Sequence, residues 1–330
     1  MKLLYILFIP VLLFFSACSS KEVFKPAHID GSWKNYGNSK FTIKNISSDA
    51  ALIEDQKVMM KGKTLDSKIE SGYSLIGVSQ EWIISSNIDG NLTLQSSLDS
   101  KKIERFTLKR TIATASVNGD LLAVLFANNE MALYSISDKS LLLKEQGDAP
   151  IVVNSKIVKP NFKEDLVVFA TLDGKVVIIN AKTKKKLRTV IVSSEEHFNN
   201  IIYLDFVDNK IISATGHKIL SLAQKEVRLT YDIRSALADG VDIFVATKQG
   251  EIISLTPELQ QNAKVKFPFA HFLGMIVSGD KLYILEKEGF LIELSKDLSK
   301  SLIHKVSLEE GYVFIDGKIF YVDDEYISVE

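Results

Sequence analysis

Cysteine, tryptophan and net charge are what this sequence has least of. One cysteine and two tryptophans occur among 330 residues, and the formal net charge is −1. A lone thiol leaves the folded part without a disulfide of its own. Near-zero charge supplies no basic face, so no nucleic-acid partner is expected. The five histidines, His28, His197, His217, His271 and His304, lack the spacing of metal ligands and stand in no motif with a nucleophile or paired acid. Carboxylates adjacent along the chain, such as Glu195-Glu196, Glu309-Glu310 and Asp323-Asp324, point opposite ways in a strand and suit turns better than catalytic dyads. No glycine loop for phosphate occurs, and no stretch after residue 20 carries a sustained helical period. These absences exclude the common catalytic and metal-binding layouts, and the expectation is a binding protein without metal or cofactor.

What is present is ample apolar material, 46% of residues against 25% charged, enough for a sizeable core. The first seventeen residues, "MKLLYILFIPVLLFFSA", run from one cation through an apolar block to small residues, which is the layout of a secretory signal and too short for a membrane span. Cys18 follows at once. The arrangement resembles the bacterial lipoprotein signal, and that resemblance implies removal of residues 1–17 and acylation of Cys18 by palmitate-like chains. It further implies a tether over 18–31 and one folded domain over 32–330. Two or more acyl chains anchor stably, so such a protein would sit on a membrane without spanning it. Ser19, rather than an acidic residue, implies the outer membrane, facing the periplasm.

The folded part repeats itself. An apolar run, a two-residue polar turn and a second apolar run recur at Asp89-Gly90, Asn128-Asn129, Asp173-Gly174, Thr215-Gly216, Gln249-Gly250 and Glu288-Gly289. The interval is roughly 35 to 45 residues, the period of propeller blades. Such pairs supply the positive φ of tight hairpins. A second series, Asn118-Gly119, Asp208-Asn209, Asp239-Gly240, Ser278-Gly279 and Asp316-Gly317, gives each unit at least three strands and predicts a fourth. Runs such as "LVVFA", "VVII" and "LLAVLF" do not alternate, so both faces of these strands must be covered. Counting Asp55-Gln56 and Asp323-Asp324, the expectation is an all-β propeller of eight four-stranded blades. Seven is the alternative, if the N-terminal segment only completes the last blade. A strand within 33–46 is expected to close the ring against "KIFYVDDEYISVE".

The third of these copies, at Asp173-Gly174, is similar to the repeat of quinoprotein-type propellers. Ala170, Asp173, Gly174, Val176, Ile178, Ile179, Asn180, Ala181, Thr183 and Lys185 fit that repeat. Lys184 replaces its glycine, and Arg188 stands near the place of its tryptophan. Enzymes of that type bring vicinal cysteines, a calcium site and stacked tryptophans, which this chain lacks, so no quinone cofactor is expected. Lipoprotein signal, short tether and single propeller together resemble the BamB family of outer-membrane assembly lipoproteins. That resemblance implies a scaffold docking the β-barrel assembly platform. The alternatives are a surface-displayed lipoprotein binding a host or matrix ligand and, last, a quinoprotein-type enzyme.

The longest irregular connections are expected to hold the partner. They are "SSEEHFNN", with Glu195, Glu196, His197 and Phe198, and "TYDIRSALADG", with Asp232 and Arg234. The cationic run Lys182, Lys184, Lys185, Lys186 and Arg188 reads as a solvated turn.

Overall fold

A computed structural model describes residues 22–330 and is all-β apart from one short 3-10 turn at Glu54–Gln56. Cys18 and the signal-like segment lie outside the described residues. The described residues form eight sheets in sequence order, antiparallel within each blade. Seven are continuous four-stranded blades over 43–68, 74–107, 112–146, 161–191, 203–230, 233–266 and 272–305. The eighth combines Val313–Asp316, Ile319–Val322 and Glu325–Ser328 with Tyr36–Asn38 from the other end of the chain. Tyr36 sits opposite Ile327 and Asn38 opposite Glu325, so the ring closes as the sequence predicts. The N-terminal strand completes the last blade and eight blades still form, because Asp55-Gln56 and Asp323-Asp324 each turn a hairpin in a blade of their own.

The first strands of successive blades meet one another, which makes them the innermost strands around a central channel. The second and third strands of each blade are buried on both faces; Ile243–Thr247 is buried at every residue. Fourth strands face solvent, as in Lys185–Ile191, where only Val190 is buried. Among the described residues the core is divided into eight hydrophobic clusters, one at each blade–blade interface. Ile43, Ala51 and Met59 of the first blade meet Phe314 and Tyr321 of the eighth, sealing the ring. Burial at each interface contributes about 25 cal/mol per Å² of apolar surface, so stability is spread round the circle.

Every turn between second and third strands lies on one end of the ring, together with the connections between blades. We call this end the connection face. All eight turn pairs of the first series lie there, and the second series lies on the opposite face. Gly90 and Gly250 have φ of +80° and +76°. A side chain at Gly90 would overlap the Arg110 backbone and one at Gly250 the Phe267 carbonyl, because the following connection crosses directly over each turn. Gly216 has no positive φ, consistent with its being the irregular copy.

The N-terminal segment runs along the seventh blade before closing the eighth. Gly31–Ser32 pairs in parallel with His304 and Lys305. Phe24 is buried edge-on to Phe267, at 6.0 Å, and to Phe290, at 5.6 Å, both at the connection-face rim of the sixth and seventh blades. The indole of Trp33 donates to the Ser328 carbonyl at 2.9 Å and packs on Tyr283 and His304.

Candidate functional site: the connection face and channel

Most inter-blade connections are short, two residues between Thr230 and Ile233 and four between Thr107 and Ile112. Two are long. Residues 147–160 link the third and fourth blades, and residues 192–202 link the fourth and fifth. The first of these enters the channel. It leaves the connection face at Gly147, whose amide donates to the Asn129 carbonyl, while the Asn129 side chain donates to the Asp148 carbonyl at 2.8 Å. Deeper in, the Asn200 amide receives the Asn154 N–H at 2.6 Å and donates to the Lys156 carbonyl at 2.8 Å. Lys156 Nζ reaches the Arg234 carbonyl of the sixth blade at 3.5 Å. Lys159 Nζ reaches the Val78 carbonyl of the second blade at 2.8 Å and pairs with Asp49, which lies in the opposite-face turn of the first blade.

The segment thus descends the channel and braces blades two places away on either side. It occupies space that the fourth blade leaves open, because the innermost strand there is only Asn161–Lys163, against Ile112–Asn118 in the third blade. Val153 and Ile157 pack onto the interface of the third and fourth blades, and Val158 onto that of the fourth and fifth. Sequence reasoning missed this segment. Its signal was length, fourteen residues bracketed by Gly147 and Pro160 where other connections need far fewer.

The structure divides the six predicted contact residues. Glu195, Glu196, His197 and Phe198 are exposed on the second long connection, as expected. Phe198 adopts φ of 52° and its amide donates to the Val152 carbonyl at 3.0 Å, placing it beside the channel segment. The stretch 230–240, in contrast, is not an irregular connection. Only Tyr231 and Asp232 connect blades there, and Ile233–Ala238 is the innermost strand of the sixth blade. Asp232 lies on the rim, its carboxylate accepting from Gln249. Arg234 lines the channel mouth, with Nη1 at 2.7 Å from His271 Nε2. The strand was hidden because five of its six residues are only half-buried against the channel, which breaks the apolar run.

Charge in the channel mouth is one-sided. Lys159 has its carboxylate, but among the described residues Lys156 and Arg234 form no ion pair with one. Lys156 keeps solvent contact yet stands deep between channel walls; that burial, and then the Arg234 charge, hold its ammonium below the usual lysine range. Burial likewise lowers the Arg234 guanidinium. The nearby Glu286 is fully buried, accepts the His271 and Glu288 amides at 3.0 and 2.7 Å, and has its carboxyl pushed up by burial.

An open cleft of about 710 Å³ lies on the same face between the seventh and eighth blades, lined by Leu273, Glu288, Val306, Glu309 and Glu310 among others. Oxygens of Glu309, Asp323 and Asp324 approach within 4.8 Å of one another, the one grouping among the described residues with room for a cation. Exposed apolar side chains also gather on this face: Ile88, Ile151, Val152, Phe198, Phe269 and Tyr312. The cationic run at 182–188 is spread along an outermost strand and its turn, where Lys182, Lys186 and Arg188 pair with Asp165, Glu145 and Glu226.

No family model matches the chain. A stretch of 292 residues, 86% of this chain, is 32% identical to plasminogen-binding protein PgbB of Helicobacter pylori strain J99 and covers 51% of that protein. PgbB of strain 26695 is 33% identical over 217 residues, 63% of this chain and 40% of the relative. The chain therefore spans about half the length, or less, of the curated relatives it matches. Among solved structures, BamB from Moraxella catarrhalis superposes with a TM-score of 0.68 over 89% of this chain and 98% of its own, at 10% identity. The C-terminal WD40 domain of Sif2 gives 0.65 over 90% and 99%, at 12% identity. At such identities these likenesses show the propeller fold alone.

Proposed function

We propose that this chain is a non-enzymatic, lipid-anchored propeller of the bacterial outer membrane whose connection face binds a protein ligand, with plasminogen the first ligand to test. The observation that carries the reading is the 32% identity over 86% of the chain to a protein named for binding plasminogen. Two features of the fold support it. A rigid ring presents its loops at fixed spacing, which suits gripping a macromolecule. The connection face carries exposed apolar side chains, and Phe198 and Val152 stand side by side there. A ligand of this kind requires an anchor that presents the ring outward, in place of the periplasmic position that Ser19 implies. The assembly-scaffold reading rests on the layout and on a fold shared at 10% identity, so the surface-binding reading takes precedence.

The test is surface plasmon resonance of the full chain over immobilised plasminogen, with protease shaving of intact cells and a Cys18→Ala control. Saturable binding, together with release of the protein by shaving, supports the reading. No binding to plasminogen, with the β-barrel assembly platform recovered from gently solubilised envelopes, would return the chain to the scaffold class.

A further inference from the structure

We propose that the channel mouth receives a carboxylate from an acidic segment of the protein ligand, held by Arg234 and Lys156 and flanked by the Ile151–Val152–Phe198 surface. This rests on the reading that a protein docks on the connection face. Three observations carry it. First, the two cations converge without a counter-ion: Lys156 Nζ lies 3.5 Å from the Arg234 carbonyl, and neither residue forms an ion pair among the described residues. Like charges brought together in a recess cost free energy that an incoming anion removes.

Second, the guanidinium is oriented by one of its amino groups. Nη1 is committed to His271 at 2.7 Å and Nε is closed off from solvent, which leaves the Nη2 amino group as the donor an incoming carboxylate meets. A charged N–H donor of this kind makes a strong hydrogen bond to a carboxylate oxygen. The neighbouring Glu286 carboxyl is held by the His271 and Glu288 amides and makes no ion pair with Arg234 among the described residues.

Third, the cations adjoin exposed apolar surface. Ile151 and Val152 stand a few residues before Lys156 on the channel segment, and the Phe198 amide is tied to the Val152 carbonyl. An acidic residue next to an aromatic one matches that pairing of charge and apolar area. A small inorganic anion would use the cations and leave the apolar groups uncovered.

The test is fluorescence anisotropy of the full chain with a labelled, amidated peptide Ser-Gly-Phe-Glu-Glu-Gly-Ser, its Gln-Gln counterpart, and inorganic phosphate as competitor. The Glu peptide is expected to bind at least tenfold more tightly than the Gln peptide. Lys156→Gln and Arg234→Gln should each weaken it about tenfold, and Lys101→Gln on the opposite face should not. Lys156 is exposed, so its variant stays informative should Arg234→Gln fail to fold. Equal binding of the two peptides, or binding unchanged in Lys156→Gln, overturns the proposal. Binding of phosphate without the Glu peptide overturns a peptide as occupant. Plasminogen binding equal in wild type and Lys156→Gln sinks this site and leaves the proposed function standing. Glu-peptide binding lost in the variants, with no affinity for plasminogen, does the reverse.

Discussion

Truncating Phe24 to alanine separates the docking of the tether from the integrity of the ring. The side chain is 4% exposed and touches two rings edge-on. Its burial is worth about 1.5–3 kcal/mol, and each aromatic pair adds ~0.5–1.5 kcal/mol. Phe24 is the one buried side chain among residues 22–29, so without it that stretch has too little to offset the backbone entropy of staying ordered. From Asp30 onward the chain has other holds: its amide donates to the Ile303 carbonyl at 2.8 Å, its carboxylate accepts the Ile303 amide at 2.7 Å, and Trp33 bonds to Lys305 and Ser328. Phe24→Ala should therefore free residues 22–29 and spare ring closure. The assay is hydrogen exchange of residues 22–29 read by mass spectrometry, alongside calorimetry. Exchange there should accelerate at least tenfold, a change of 1.4 kcal/mol or more in local opening, while the unfolding midpoint moves by less than about 2 °C. Phe244→Ala, in a fully buried blade position, is the reference. It should cost ~3–5 kcal/mol and lower the midpoint by roughly 5–10 °C. A midpoint loss in Phe24→Ala equal to that of Phe244→Ala, or unchanged exchange over residues 22–29, would refute the reasoning.

Gly90→Ala should destabilise by more than about 3 kcal/mol, since the methyl overlaps the Arg110 backbone, whereas Gly119→Ala, with open space around it, should cost only ~1–2 kcal/mol for its φ of +57°; urea midpoints compare the two. Burial alone would raise the Asp173 carboxyl, but hydrogen bonds from Lys175, Thr171 and Asn129 outweigh it and hold it below the usual range. A depressed carboxyl adds stability above its unfolded pKa of about 3.9 that is lost as pH falls through the folded value. Asp173→Asn should accordingly lose about 2 kcal/mol at pH 7 and show a shallower decline in melting temperature below about pH 4. Asp49→Ala removes the partner of Lys159 and should raise hydrogen exchange across 147–160 while costing the ring about 1 kcal/mol or less.

The turns were legible because each demands a backbone conformation few residues adopt: Asn129, Asp173-Gly174 and Asp323 announce themselves by chemistry. Blade number followed from the turns, and ring closure from the need to cover edges. The inner strands were less legible. Ile233–Ala238 faces a channel rather than a neighbouring blade, so its residues are selected for what stands in the channel and not for a continuous apolar run. The channel segment was invisible to periodicity, because its order comes from contacts such as Asn200 to Asn154, 46 positions apart. The exposed group at Glu195 to Phe198 was readable from polarity and length, but its partnership with Val152 was not.

The seat of Phe24 sets a leash. Phe24 lies six positions after Cys18, and a chain of six residues extends at most ~20–22 Å. Once Cys18 carries the proposed lipid, the rim at the sixth and seventh blades stays within that distance of the bilayer, and the ring can swing about one point without lifting away. A ligand captured on the connection face, as proposed, would thereby be concentrated in a thin layer above the lipid. A second ligand displayed on the same membrane would meet it at an effective concentration approaching millimolar.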